Sequence, residues 1–171
     1  MTTSQSRAAS AYASVNLESR APAGGVDLVI LLIEGVLDRV KLAKQAIQQR
    51  DIQQKITQLN KALQIIGEGL RAHLDVRSGG EIAQNLDDLY AYCSVRLLHA
   101  NSRNDVQALD EIVRLLSPLL DAWNSVRSGN QPAADAGKTL AEVTRALKSA
   151  VPSVQRMYGS SAYASFAAAG A

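Results

Sequence analysis

The sequence predicts an all-α protein: an antiparallel, up-down-up-down four-helix bundle with a mobile N-terminal arm and a C-terminal extension containing a short helix. Three observations carry this. Apolar residues recur at spacings of three and four through four successive stretches, the period of one helix face. Leu, Ala, Ile and Val dominate while aromatic residues make up only 4% of the chain, which favours packed helices over a sheet sandwich. Short polar or glycine-containing breaks join the stretches, and short connections force neighbouring helices antiparallel.

The first helix is expected from Val26 to about Gln49, with Val29, Ile33, Val36, Val40, Ala43 and Ile47 on one stripe. Asp51 is placed to cap a second, in which Ile52, Ile56, Leu59, Leu63, Ile66, Leu70 and Leu74 keep the period as far as Asp75. Ser78, Gly79 and Gly80 break it. A third helix opens at Glu81 and aligns Ile82, Leu86, Leu89, Cys93, Leu97 and Ala100 until the segment from Asn101 to Asn104 stops it. Asn104, with Gln107 three residues on, reads as the cap of a fourth helix carrying Val106, Leu109, Val113, Leu116, Leu120 and Trp123. Pro118 lacks a backbone donor and crowds the preceding turn, so a kink is expected there.

This divides the chain into a mobile arm (1–25), the bundle (26–127) and a C-terminal region (128–171). The last begins as a Gly, Asn and Pro linker, continues as a short helical stripe of Leu140, Val143, Ala146 and Leu147, and ends in a Ser, Ala and Gly-rich tail. The segment from Ser10 to Ser14, Ser-Ala-Tyr-Ala-Ser, is repeated from Ser161 to Ser165. The repeat reads either as chance in an Ala and Ser-rich chain or as the same tyrosine plug offered twice.

Composition narrows function. Eighteen basic residues are interleaved with sixteen acidic ones for a net charge of +2, which argues against a nucleic-acid-binding stripe. Residues 1–25 lack the apolar core of a secretory signal. The most apolar run, 28–33, is far shorter than the ~20 residues of a spanning helix, so no membrane insertion is expected and residence is expected to be cytoplasmic. A lone cysteine, Cys93, forms no intrachain disulfide and on an apolar stripe behaves as a small hydrophobe. His73 and His99 fall on different helices without metal-ligand spacing and read as surface or helix-end groups. Asp87-Asp88 and Asp110-Glu111 are adjacent pairs that diverge around a helix and read as solvated faces. No catalytic set, cofactor or metal is expected.

An apolar surplus is left. Residues 28–33 are all apolar and wider than one bundle-facing stripe, and Ile65 adds to Ile66. Some of this surface is expected outside the core, where a guest amphipathic helix in a groove would use it. The chain's own arm, or a second copy in a homodimer, is the competing cover.

The residues Gly79-Gly80-Glu81-Ile82-Ala83, Asn85-Leu86, Leu89-Tyr90 with Tyr92, Arg96-Leu97-Leu98, Ala100-Asn101 and Asn104-Asp105 resemble the signature of the FliS family. Glu34-Gly35, Lys61-Ala62, Ile65-Ile66, Leu74-Asp75 and Trp123 extend the likeness over roughly residues 12–125. The resemblance implies a cytosolic, non-enzymatic export chaperone. Such a protein binds the C-terminal segment of flagellin, stops early polymerisation and delivers it to the type III export gate, where the family docks on FlhA. It also implies an N-terminal tyrosine arm that covers part of the groove, with Tyr12 matching that tyrosine and Val15 following it. Ile65, Tyr90 and Leu97 are candidate client contacts, and Asn85 and Arg96 polar anchors; Tyr90 reads equally as a core-edge ring and Arg96 as half of a surface ion pair. An adaptor without a flagellin client is the alternative. The chain departs from the family at Ala23-Gly24-Gly25-Val26, where Ala-Ser-Pro is usual, and in its tail beyond Ser128.

Overall fold

A computed structural model describes residues 24–129. They form α1 (Gly25–Gln48), α2 (Ile52–Gln64), α3 (Gly80–Arg103) and α4 (Val106–Arg127), with no strand among the described residues. Helix α1 packs along α2 and α4, and α3 closes the bundle against the same two neighbours, so consecutive helices run antiparallel. Most of the expected arm and extension, including the stripe from Leu140 to Leu147, lies outside the described residues.

The core is aliphatic and continuous. Ile33, Val36, Val40 and Ala43 of α1 meet Leu59 and Ala62 of α2, Leu89, Cys93 and Leu97 of α3, and Leu109, Ile112 and Leu116 of α4. All are at most 1% exposed, as interdigitated interior packing requires. At the rim Lys44 pairs with Asp110, and Arg71 grips Asp87 with both a 2.7 Å and a 3.1 Å hydrogen bond.

The second helix departs from expectation. Helix α2 is regular only to Gln64, then widens into a π-helical turn over Ile65–Leu70 and tightens into a 3-10 turn over Arg71–His73. The backbone N–H of Arg71 reaches the carbonyl of Ile66, five residues back, which is the π spacing. Ile65 and Ile66, which open the turn, are both fully buried, and Leu70 at its end is 5% exposed. Gly69 lets the turn approach α1, because a Cβ there would stand 3.0 Å from a methyl of Leu32.

One cap is also corrected. Asn104 does not start α4. It ends α3 in the left-handed conformation at φ 53°, and Asp105 caps α4 by accepting from the Ala108 N–H at 3.1 Å. Asp51 caps α2 as expected, accepting from Gln54 N–H at 2.9 Å. Helix α1 begins at Gly24 with no side-chain cap. Pro118 does not interrupt α4, which runs unbroken through it.

The joint before α3 depends on glycine. Asp75 accepts from the N–H groups of Arg77 and Ser78, and these bonds, that of Ser78 foremost, hold its carboxyl below the usual carboxylate range. The N–H of Gly79 then returns to the Asp75 carbonyl at 2.8 Å. A Cβ on Gly79 would meet that carbonyl oxygen at 2.8 Å and the Cβ of Ala83 at 2.6 Å, so no larger residue fits without a shift.

Candidate functional site

Helix α1 carries two apolar faces. Ile33, Val36 and Val40 turn to the main core. At about 100° per residue, Ile30 and Leu31 lie well round the helix from Val36. They are nevertheless only 2% and 5% exposed, although they do not belong to the main core cluster. The expectation that residues 28–33 leave a strip open to solvent is thus corrected. Ile30 to Ile33 are all buried, while Leu28 and Val29 are half-buried. On α3 residues 89–94 are likewise buried without a break, so that Ala91, which faces away from Leu89 and Cys93, is covered as well. The exposed large apolar side chains are instead Leu42, Ile52, Val76, Ile82 and Leu98.

Of the expected contact residues, Ile65, Tyr90 and Leu97 belong to the main core and are at most 2% exposed. None of the three faces solvent in the free chain. Ile65 continues the inward face of Leu59 and Ala62, and Tyr90 and Leu97 share the inward face of α3 with Cys93. Asn85 is half-buried on α3. Arg96 lies about 16 Å further along the same helix, so the two polar anchors are not brought together. Tyr12 and Val15 lie outside the described residues.

Arg96 forms an ion pair, one of its two expected roles, and that pair belongs to a network with Tyr92 that the sequence reading missed. Its Nε is 2.7 Å from one carboxylate oxygen of Glu111, and the Tyr92 hydroxyl donates to the other at 2.6 Å. Tyr92 and Arg96 stand one turn apart on α3, so both reach a single acid of α4. That spacing, with an acid at matching depth on the partner helix, was the available signal. Burial first, and the bond to Glu111 second, push the Tyr92 hydroxyl well above its ordinary range, as burial does for Tyr90.

The remaining ionisable groups are structural. The Cys93 thiol is fully buried and pushed up to about 12, chiefly by desolvation, so it is no nucleophile at neutral pH. Of the two readings of His99, the surface one is corrected and the helix-end one fits: it is 5% exposed near the end of α3, with Nδ1 3.1 Å from an Asp105 carboxylate oxygen. His73 caps a carbonyl, its Nδ1 2.8 Å from Gly69 O. Among the described residues no group of three or more His, Cys, Asp or Glu is placed to hold a metal, and no helix is long and apolar enough to cross a membrane. The arrangement offers burial and packing, not bond chemistry.

Comparison with known proteins agrees with that character. The family described as Flagellar protein FliS matches residues 6–130. The Flagellar secretion chaperone FliS of Salmonella typhimurium is 43% identical over 117 residues, covering 68% of this chain and 87% of the relative. The Escherichia coli protein of the same name is 43% identical over 114 residues, covering 66% and 84%. Flagellar secretion chaperone FliSB of Pseudomonas aeruginosa is 40% identical over 116 residues, covering 67% and 91%.

Proposed function

Since the chain belongs to the FliS family, a family of flagellar secretion chaperones and not of enzymes, we propose that it holds the C-terminal helical segment of flagellin in the cytoplasm. There it prevents premature polymerisation and delivers the segment to the type III export gate, docking on FlhA. The observation that supports this reading is the second apolar face of α1, where Ile30 and Leu31 are shielded apart from the bundle core. A face that a bundle does not need for its own interior is the surface an amphipathic guest helix requires.

In this reading the client lies along outward apolar faces of the bundle. Ile65, Tyr90 and Leu97 act from beneath as the packed floor, and Asn85 and Arg96 border the client along α3. The arm residues Tyr12 and Val15 compete for the same surface. The test is polymerisation: flagellin monomers are seeded and followed by light scattering with and without an equimolar amount of this protein. Suppression is expected, and it disappears when flagellin lacks its C-terminal segment. Polymerisation at an unchanged rate overturns the proposal.

A further inference from the structure

At the end of the bundle where α1 passes into α2 and α3 into α4, the two turns enclose a cavity of about 340 Å³. Its wall is apolar over Ala46, Ile47 and Ile52, and basic at Arg50 and Lys55, with Asn104 opposite. Ile52 is 63% exposed at the rim.

Lys55 is unusual here. It is only 7% exposed, and its Nζ lies 2.8 Å from the Asn101 carbonyl and 2.8 Å from the Asn104 side-chain oxygen. Both partners are neutral, so a buried cation with a third donor to offer has no carboxylate against it among the described residues. Arg50 is the second oddity. It stands at the residue just past the α1 cap with φ 58°, where the Arg50 N–H bonds to Ile47 O and the Asp51 N–H to Ala46 O. That position favours glycine, yet it holds a long cationic side chain that lines the cavity. Asp51, the acid on the wall, uses its carboxylate to cap α2.

We propose that this cavity binds the C-terminal carboxylate of a peptide whose last side chain is aliphatic. The carboxylate meets Lys55 and Arg50, and the side chain lies against Ala46, Ile47 and Ile52. Cations beside an apolar wall fit a terminal residue, which carries a carboxylate and its side chain on one carbon, better than they fit a free anion. The assignment rests on the carrier reading above, because the segment carried there is a chain end; it adds that the end itself is read and sets the register of the guest.

The test is calorimetry of the full chain with two synthetic peptides of flagellin's C-terminal helical segment, identical except that one ends in a free acid and the other in an amide. The amide is expected to bind roughly tenfold more weakly, the scale of a lost charge-assisted hydrogen bond. The Arg50→Gly variant, whose new residue suits the backbone, is expected to narrow that gap. Equal affinities for acid and amide, or an unchanged gap in the variant, overturn the cavity assignment and leave the carrier role standing. Absence of binding by either peptide removes the carrier role and this assignment together.

Discussion

Where α1 passes into α2 and α3 into α4, side chains stop and restart the helices. Asp51 and Asp105 each accept a backbone N–H three residues on, and Arg50 and Asn104 take the left-handed conformation that ends the preceding helix. At the other end, between α2 and α3, the chain turns mainly through backbone geometry, a π turn, a 3-10 turn and a glycine joint at Gly79, with the Asp75 carboxylate accepting two N–H groups of the loop. The first device is written in residue types at fixed offsets. The second depends on how close Leu32 and Asp75 come, which is a property of the packed molecule.

That contrast can be broken from the π turn first. Ile65 and Ile66 open that turn, which packs on α1. Because both are fully buried, Ile65→Ala and Ile66→Ala are each expected to lower stability by about 3 kcal/mol in urea denaturation. A loss below about 1 kcal/mol at either position would mean that its side chain is not packed in solution. Next comes Gly79→Ala, expected to cost about 2 kcal/mol, because the new methyl collides with the Asp75 carbonyl and Ala83. A neutral result would show the joint to be loose.

At the capped end the effects are smaller. Asp51→Ala and Asp105→Ala should each lose about 1 kcal/mol in the same assay, the usual value of a side-chain cap. Equal losses sharpen the view that the two turns are built alike; no loss at Asp105 would return the cap to Asn104. Arg50→Gly is expected to raise stability by about 0.5 kcal/mol by relieving a left-handed side-chain residue.

Much of the architecture was legible in the sequence. The stripes through Val36, Leu59, Cys93 and Leu109 are the core that forms, because a period of three and four is enough to place a helix face. Helix boundaries followed wherever a cap or glycine signalled them, as at Asp51 and Gly79. The candidate site was less legible. Ile65 was expected at the surface because Ile66 beside it already fills the apolar stripe, whereas the packed bundle buries both. For His99 the surface reading stood beside the helix-end one because its partner Asp105, the cap of α4, is brought against it only by the fold. The Tyr92, Glu111 and Arg96 network and the Lys55 bridge to the end of α3 join different helices, so linear spacing gave half of each at most. The family resemblance, by contrast, was carried by residues along α3 whose order and spacing are visible in the chain itself, and the match over residues 6–130 agrees with it.

The proposed carrier role turns on one physical act, the sheltering of flagellin's C-terminal segment on the second apolar face of α1, where Ile30 and Leu31 lie. Size-exclusion chromatography with light scattering, on the full chain mixed with monomeric flagellin, measures it directly. A stable complex of one copy of each, lost when flagellin is shortened at its C-terminus, is the expected result. Two species that elute separately at every concentration tried, or a homodimer of this chain that ignores flagellin, would contradict it.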